Sequence, residues 1–225
     1  MRPKVIIWDF DGTLVSSLAG IASSMQETLA TYGFSTPSLE DVRRTIGLTL
    51  EQSIRCLTHE MCPENLVPAL VQHYRSLHGS NAAPLTTMFE GATEVLREAR
   101  RREIESILVS NKGRDGLHQL LEQLEIGGMF REVFSADDVA YRKPDPRLFA
   151  NEIAMKLENH STGNILVVGD TETDLNFAKA SGLRSCWAKY GYGDQNSCSG
   201  LGPDFVIESI GALWTALEPQ LGNSA

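Results

Sequence analysis

The 225-residue chain is 42% hydrophobic and 22% charged, which is typical of a globular protein with a sizeable core. Its length suits one domain with an insertion, or two small domains. A net charge of −9 without a basic stripe argues against nucleic-acid binding, and no apolar segment approaches the roughly 20 residues that cross a bilayer. An anionic ligand must therefore be attracted locally, by a metal ion or a placed cation.

The four cysteines form neither a CxxC pair nor a closely spaced set of metal ligands. No signal peptide precedes the first strand-like run, so a disulfide framework is not favoured. Free thiols are typical of cytoplasmic proteins. We therefore expect a cytoplasmic protein with four unpaired thiols, at Cys56, Cys62, Cys186 and Cys198.

The first predicted strand, Val5–Trp8, is an unbroken apolar run that leads into the sequence DFDGT. Such a run is typical of a strand covered on both faces in a parallel sheet. Because side chains two residues apart point the same way in an extended chain, Asp9 and Asp11 converge. Two carboxylates about 5 Å apart repel by about 3 kcal/mol at an effective dielectric near 20. A lone DxD pair is weak evidence for a site, because Asp is also common in turns where strands give way to loops. The repulsion between the two carboxylates nevertheless needs a reason.

Residues 16–83 show helical periodicity and no convincing strand, and three prolines punctuate the stretch. We expect an all-helical insertion that acts as a lid, or cap, over the strand ends. Residues 1–15 and 84–225 then form the core domain. The predicted helices of the cap are 21–32, 39–46, 50–58 and 66–78.

The rest of the chain alternates between strands and helices. This alternation predicts an α/β fold, a Rossmann-like parallel sheet with helices on both faces. Ligands of such sheets bind at the carboxyl ends of the strands, where polar residues follow the apolar runs here. The predicted strands are 107–109, 133–135, 165–168, Arg184–Ala188 and Phe205–Ile207, and the predicted helices are 91–102, 116–124, 147–157 and 175–180.

Four short motifs follow these strands in a specific order. The sequence DFDGT resembles the first motif of the haloacid dehalogenase superfamily of aspartate-nucleophile hydrolases. The resemblance covers nearly the whole chain, and four motifs in order are far more specific than any one of them. The later motifs are matched by Ser110-Asn111-Lys112, by Lys143 in RKPDP, and by Gly169-Asp170 with Asp174.

The resemblance implies a role for each acidic residue. Asp9 would be the nucleophile that forms an aspartyl-phosphate. Asp11 would protonate the leaving oxygen and then deprotonate the attacking water. Asp9, the backbone carbonyl of Asp11 and Asp170 would bind Mg²⁺, with Asp174 acting through water or as support.

The resemblance also implies how the phosphoryl group is bound. Ser110, Lys143 and the loop amides around Phe10 and Gly12 would hold its oxygens, and Asn111 is a further candidate contact. Mg²⁺ and Lys143 would balance the clustered carboxylates. The expected partner is a small-molecule phosphate ester, and the expected assembly is a monomer or homodimer.

Asp11 argues against a dehalogenase, since displacing halide needs no acid for the leaving group. A sugar-phosphate mutase stays open as an alternative, although Ile21 stands where such mutases typically carry a histidine. A non-catalytic phosphate-binding module is a further alternative. The stretches GDTETDLNFAKASG and YRKPDPRLF resemble the phosphoglycolate phosphatase group, apart from Ser16, where many members have aspartate. The sequence therefore favours a Mg²⁺-dependent phosphatase.

Substrate specificity is expected to reside in the cap. Arg43, Arg44, Arg55 and the 45–49 loop are candidates, although these arginines are equally consistent with solvated charges on helix faces. Asp137 and Asp138 are expected to be loop residues that could orient Lys143. The cap histidines, His59, His73 and His78, are expected at the surface or in packing positions.

Overall fold

The computed structural model describes residues 3–157 and 160–218. The outer ends of the predicted core segments, residues 1–2 and 219–225, lie outside the described part. No helix within the described ranges combines the length and the apolarity that crossing a membrane requires.

A parallel six-stranded sheet forms the centre of the fold, in the order β5-β4-β1-β6-β7-β8. β1 pairs with β4 on one side and with β6 on the other, so the residues that follow β1 lie at the middle of the sheet edge. This confirms the predicted α/β fold. In chain order the strands are β1 (Val5–Trp8), β2 (Val15–Ser16), β3 (Thr87–Met88), β4 (Glu105–Val109), β5 (Glu132–Phe134), β6 (Ile165–Gly169), β7 (Arg184–Ala188) and β8 (Phe205–Ile207).

The two faces of β1 belong to different parts of the core. Ile6 and Trp8 pack in one apolar cluster, while Val5 and Ile7 pack in the other. All four side chains are buried, which explains why this strand is apolar throughout rather than alternating. In chain order the α-helices are α1 (Leu18–Thr31), α2 (Leu39–Arg43), α3 (Leu50–Leu57), α4 (Val67–Asn81), α5 (Ala92–Arg101), α6 (Arg114–Gln123), α7 (Glu172–Ala180), α8 (Gln195–Gly200) and α9 (Leu213–Leu217).

Helices α1–α4 form the helical insertion and have an apolar cluster of their own, which includes Met25, Leu29 and Leu70. The helix predicted over 39–46 is shorter than expected and ends at Arg43. The chain turns there because Thr45 N bonds to Val42 O and Gly47 has a φ of +97°. The insertion agrees with the predicted cap, whose boundaries at 16 and 83 stay a prediction.

A short antiparallel pair, β2 and β3, joins the two chain crossings between sheet and insertion. Val15 pairs with Met88 and Ser16 with Thr87. This pair could not be predicted from sequence, because two-residue strands are too short to show a period.

The helix predicted over 147–157 is irregular. It consists of a π-helical turn, Phe149–Ile153, followed by a 3-10 turn, Ala154–Lys156. Leu148 and Ile153 are both buried although they are five residues apart. A π turn, with its i to i+5 bonds, places such residues on one side.

Candidate active site

Lys143 bridges two carboxylates at the carboxyl edge of the sheet. Its Nζ donates to Asp9 Oδ1 and to Asp174 Oδ1, and both distances are 2.6 Å. All three residues are buried. Removing one partner of a buried ion pair leaves an uncompensated charge and strongly destabilises the folded protein. The arrangement of these three side chains therefore depends on all three charges.

Asp170 lies in the same cluster. One carboxylate oxygen from each of Asp9, Asp170 and Asp174 falls within 4.8 Å of the others. Asp170 is fully buried and accepts hydrogen bonds from Thr13 Oγ1 at 3.0 Å and from the backbone N–H of Tyr192 at 2.7 Å. These bonds fix the direction of its carboxylate.

The first-motif loop passes very close to Asp170. A Cβ at Gly12, which has a φ of +90°, would lie 2.2 Å from Asp170 Oδ2. Only glycine fits there, for both steric and conformational reasons. Gly12 N donates to Val15 O at 2.9 Å, and the Phe10 side chain is fully buried in the core, so Phe10 can offer a ligand only its backbone.

The cluster is short of positive charge. Burial raises the pKa of Asp9 to about 7, with Lys143 opposing and Asp174 reinforcing the shift. Burial, Asp9 and Asp174 raise the pKa of Asp170 well above its usual value. Burial opposes the charge of Lys143, but Asp174 and Asp9 outweigh it and raise its pKa. Three carboxylates and one ammonium carry a formal charge of −2, which together with an all-oxygen donor set suits a divalent cation such as Mg²⁺.

Asp174 has both carboxylate oxygens engaged. Oδ1 accepts from Lys143, while Oδ2 accepts from Thr171 N at 3.1 Å and Thr171 Oγ1 at 2.8 Å. Thr171 and Asp174 thus form the capping box that begins α7. The first turn of this helix holds Asp174 against Lys143.

The second-motif residues follow β4 and reach the same edge. Lys112 Nζ lies 3.2 and 3.3 Å from the two carboxylate oxygens of Asp11. Ser110 is buried and lines the same cavity as Asp9 and Asp11. Asn111 Nδ2 donates to Gly47 O and to Lys143 O, both at 2.9 Å, and so connects the cap to the segment that carries Lys143.

A cavity of about 970 Å³, including its open mouth, separates the sheet edge from the cap. Core residues at its floor include Asp9 and Ser110, and cap residues in its wall include Ile21, Tyr74 and His78. The helical insertion therefore covers the cluster, as a lid would.

The three cap arginines expected to set specificity lie outside the lining of this cavity, whereas a fourth, Arg75 of α4, lies within it. Arg43 bonds Glu40 and the Tyr192 carbonyl, Arg44 bonds Glu40, and Arg55 bonds Glu64. The 45–49 loop, by contrast, contributes residues 45–48 to the lining.

Residues 6–188 match the family model described as haloacid dehalogenase-like hydrolase. The chain belongs to this family. The family predicted from the four motifs, and with it the assignment as an enzyme of the hydrolase class, is confirmed.

Several relatives of this hydrolase are named phosphoglycolate phosphatase. The chain is 27% identical over 213 residues to phosphoglycolate phosphatase 1 of Pseudomonas aeruginosa, covering 92% of this chain and 77% of the relative. It is 28% identical over 216 residues to a phosphoglycolate phosphatase of Vibrio parahaemolyticus, covering 93% of this chain and 94% of the relative.

Solved structures share the fold. A predicted phosphoglycolate phosphatase from Haemophilus somnus superposes with a TM-score of 0.87 at 22% identity, covering 96% of this chain and 98% of the other. A hydrolase from Pseudomonas syringae superposes with a TM-score of 0.82 at 22% identity, with the same coverage.

Sequence reasoning missed several residues that shape the site of this hydrolase. Tyr192 and Thr171 hold Asp170 and Asp174, and their positions just beyond β7 and β6 could have indicated this. His78 packs as expected but also lines the cavity. Asp137 and Asp138 bond Arg75, Arg114 and Ser135, and so hold their own loop rather than Lys143.

Proposed function

We propose that this hydrolase is a Mg²⁺-dependent phosphatase that cleaves a small-molecule phosphate monoester through an aspartyl-phosphate. The observation that carries the proposal is the cluster of Asp9, Asp170 and Asp174, whose carboxylate oxygens lie within 4.8 Å of one another. Lys143 Nζ donates to two of these carboxylates, those of Asp9 and Asp174. The relatives named phosphoglycolate phosphatase support the reaction class.

Asp9, Asp170 and the backbone carbonyl of Asp11 would hold the metal ion in this proposal. Asp174 would support the site from behind, since both of its oxygens already accept hydrogen bonds. When bound, Mg²⁺ would neutralise the excess negative charge at Asp9 and polarise the phosphoryl group.

Asp9 would attack phosphorus while Ser110, Lys143 and the loop amides beside Asp9 hold the phosphoryl oxygens. Asp11 would give its proton to the leaving alcohol oxygen as the P–O bond breaks. Asp11 would then take a proton from water, which attacks the phosphorus of the aspartyl-phosphate. Inorganic phosphate leaves and the Asp9 carboxylate is restored.

Hydrolysis of p-nitrophenyl phosphate tests the proposal. We expect phosphate release with Mg²⁺, none after chelation with EDTA, and at least a 10³-fold loss of kcat in Asp9→Asn, an expectation typical of a lost nucleophile. Faster isomerisation than hydrolysis of β-glucose 1-phosphate would favour the mutase. Stable folding without turnover across a phosphate-ester panel would favour a binding module.

We also propose a cytoplasmic protein that acts as a monomer or homodimer without a nucleic-acid or membrane partner. All four cysteines are free, which supports a reducing compartment. Light scattering at several protein concentrations would distinguish the two assembly states.

A further inference from the structure

The cavity wall formed by the cap is largely apolar. Its cap side chains include Ile21, Met25, Ile46, Leu48 and Leu50. A wall of this kind favours an apolar group and fixes its orientation through a small number of polar contacts. The leaving alcohol of the substrate would lie against this wall, because Asp9 and Asp11 occupy the opposite side of the cavity.

The charged residues of the cavity disfavour an anionic leaving group. Among the described residues that line it, the two cationic side chains are Lys112 and Arg75. Lys112 pairs with Asp11 at 3.2 Å, and Arg75 pairs with Asp137 at 2.9 Å. Asp115 adds a further carboxylate to the lining. A carboxylate on the leaving group would have to compete with Asp11 or Asp137 for one of these two cations.

His78 supplies a polar contact in this wall. It is 4% exposed, stacks on Tyr74 with ring centroids 5.1 Å apart, and its Nε2 has no hydrogen-bond partner in the described parts of the chain. An unpaired buried acceptor or donor is costly. Because His78 lines the cavity, a ligand donor that reaches the buried Nε2 would satisfy it.

The neighbours of His78 determine what Nε2 can bind. Ser24 Oγ lies 3.4 Å from His78 Nδ1 and donates its own hydrogen to Gly20 O at 3.0 Å. The tautomer that suits this contact carries its hydrogen on Nδ1, which donates to Ser24 Oγ, and leaves a lone pair on Nε2. Burial, reinforced by Lys112, lowers the pKa of His78 to about 2, so the ring is neutral. Nε2 is thus a hydrogen-bond acceptor.

We propose that the substrate's leaving group is an uncharged, largely apolar alcohol with a second hydroxyl or N–H group that donates to His78 Nε2. This inference rests on the proposed phosphatase function and specifies its substrate class. It separates this hydrolase from its relatives named phosphoglycolate phosphatase, because glycolate is small and anionic.

The first test compares kcat/KM for cyclohexylmethyl phosphate and phosphoglycolate, both esters of a primary alcohol. We expect at least a tenfold preference for the cyclohexylmethyl ester. A preference for phosphoglycolate would overturn the inference. If no ester, including p-nitrophenyl phosphate, is hydrolysed with Mg²⁺, the proposed function itself fails.

The second test uses ring-hydroxylated isomers of cyclohexylmethyl phosphate. At least one isomer should exceed the parent ester by about tenfold in kcat/KM, the effect of one hydrogen bond to a buried acceptor. His78→Phe keeps the stacked ring, removes the acceptor and should abolish this ratio. Ser24→Ala removes the group that fixes the tautomer of His78 and should reduce this ratio of kcat/KM values. This second variant tests the role of His78 even if His78→Phe does not fold. A ratio near one in the wild type, or an unchanged ratio in the variants, would overturn the role of His78.

Discussion

Tyr192 and Asp170 are joined by a 2.7 Å hydrogen bond from the tyrosine backbone N–H to the carboxylate. The hydroxyl of the same tyrosine accepts from the N–H groups of Ser17 at 2.9 Å and Leu18 at 3.1 Å, where the chain enters the cap. Its carbonyl accepts from Arg43. One residue therefore connects a candidate metal ligand to the first crossing and to the cap.

Tyr192→Phe should destabilise this crossing, because two backbone N–H groups lose their acceptor. We expect a decrease of about 1 to 3 kcal/mol in the free energy of unfolding, measured by urea denaturation. Tyr32→Phe is the matched control, since the Tyr32 hydroxyl lies 3.4 Å from its acceptor, Ala69 O. Equal stability of the two variants would show that Tyr192 does not support the crossing.

Lys143→Met should be far more harmful than the loss of an ordinary lysine. Asp9 and Asp174 would remain buried without their cation, at an expected cost of about 3 to 5 kcal/mol in unfolding free energy. Denaturation in EDTA measures this cost, and turnover should also fall sharply. Lys156→Met is the control, because Lys156 is half exposed and pairs with Glu132 at 3.7 Å. Comparable stability of the two variants would contradict the bridging role.

Gly47→Ala tests whether the cap must sit closely on the sheet edge. A Cβ at Gly47 would lie 2.7 Å from Thr171 Oγ1, so the cap loop must move away and kcat/KM should fall about tenfold or more. Gly33→Ala is matched in backbone strain, with a φ of +78°, but its Cβ would meet nothing within 4 Å. It should cost about 1 to 2 kcal/mol in stability and leave kcat/KM unchanged. Equal kinetics of both variants would refute the close approach.

The buried His78 ring predicts a pH dependence of stability. The folded protein keeps this ring neutral, with a pKa lowered to about 2 by burial, whereas the unfolded chain binds a proton below the ordinary histidine pKa of 6.5. Because the unfolded state then holds more protons, stability falls as pH decreases from about 6.5. The wild type should lose up to about 1.4 kcal/mol per pH unit more than His78→Phe between about pH 6 and pH 4. Parallel stability curves for the two proteins would contradict this.

The sheet could be predicted closely because each strand is a short apolar run that ends in polar residues. Arg184–Ala188 and Phe205–Ile207 are strands over the predicted residues, and β5 is shifted by a single position. The irregular turn at Phe149–Ile153 could not be predicted, since its apolar residues resemble a helical pattern. The two-residue strands β2 and β3 form because they pair with each other from the two ends of the insertion, and no local sequence preference indicates them.

Asp9, Ser110 and Asp170 could be located from sequence because each directly follows a strand, and parallel strands end at one edge. Lys143 lies well beyond the end of β5 and could be located only through the motif RKPDP. The contacts between the motifs could not be predicted from sequence. The bond of Asn111 to Gly47 joins positions far apart in the chain, as does that of Tyr192 to Asp170. His78 has the local sequence of a packing residue, and only the fold places it in the cavity wall.

The most direct test looks for the phosphoryl group on Asp9 itself. Enzyme with Mg²⁺ and p-nitrophenyl phosphate is quenched in acid during turnover, and its peptides are analysed by mass spectrometry. We predict a phosphorylated peptide containing Asp9 that is missing in Asp9→Asn. It should be enriched in Asp11→Asn, which lacks the base for the second step, while p-nitrophenolate leaves in the first step without needing an acid. Turnover by Asp9→Asn close to that of the wild type, without any phosphorylated peptide, would contradict the account.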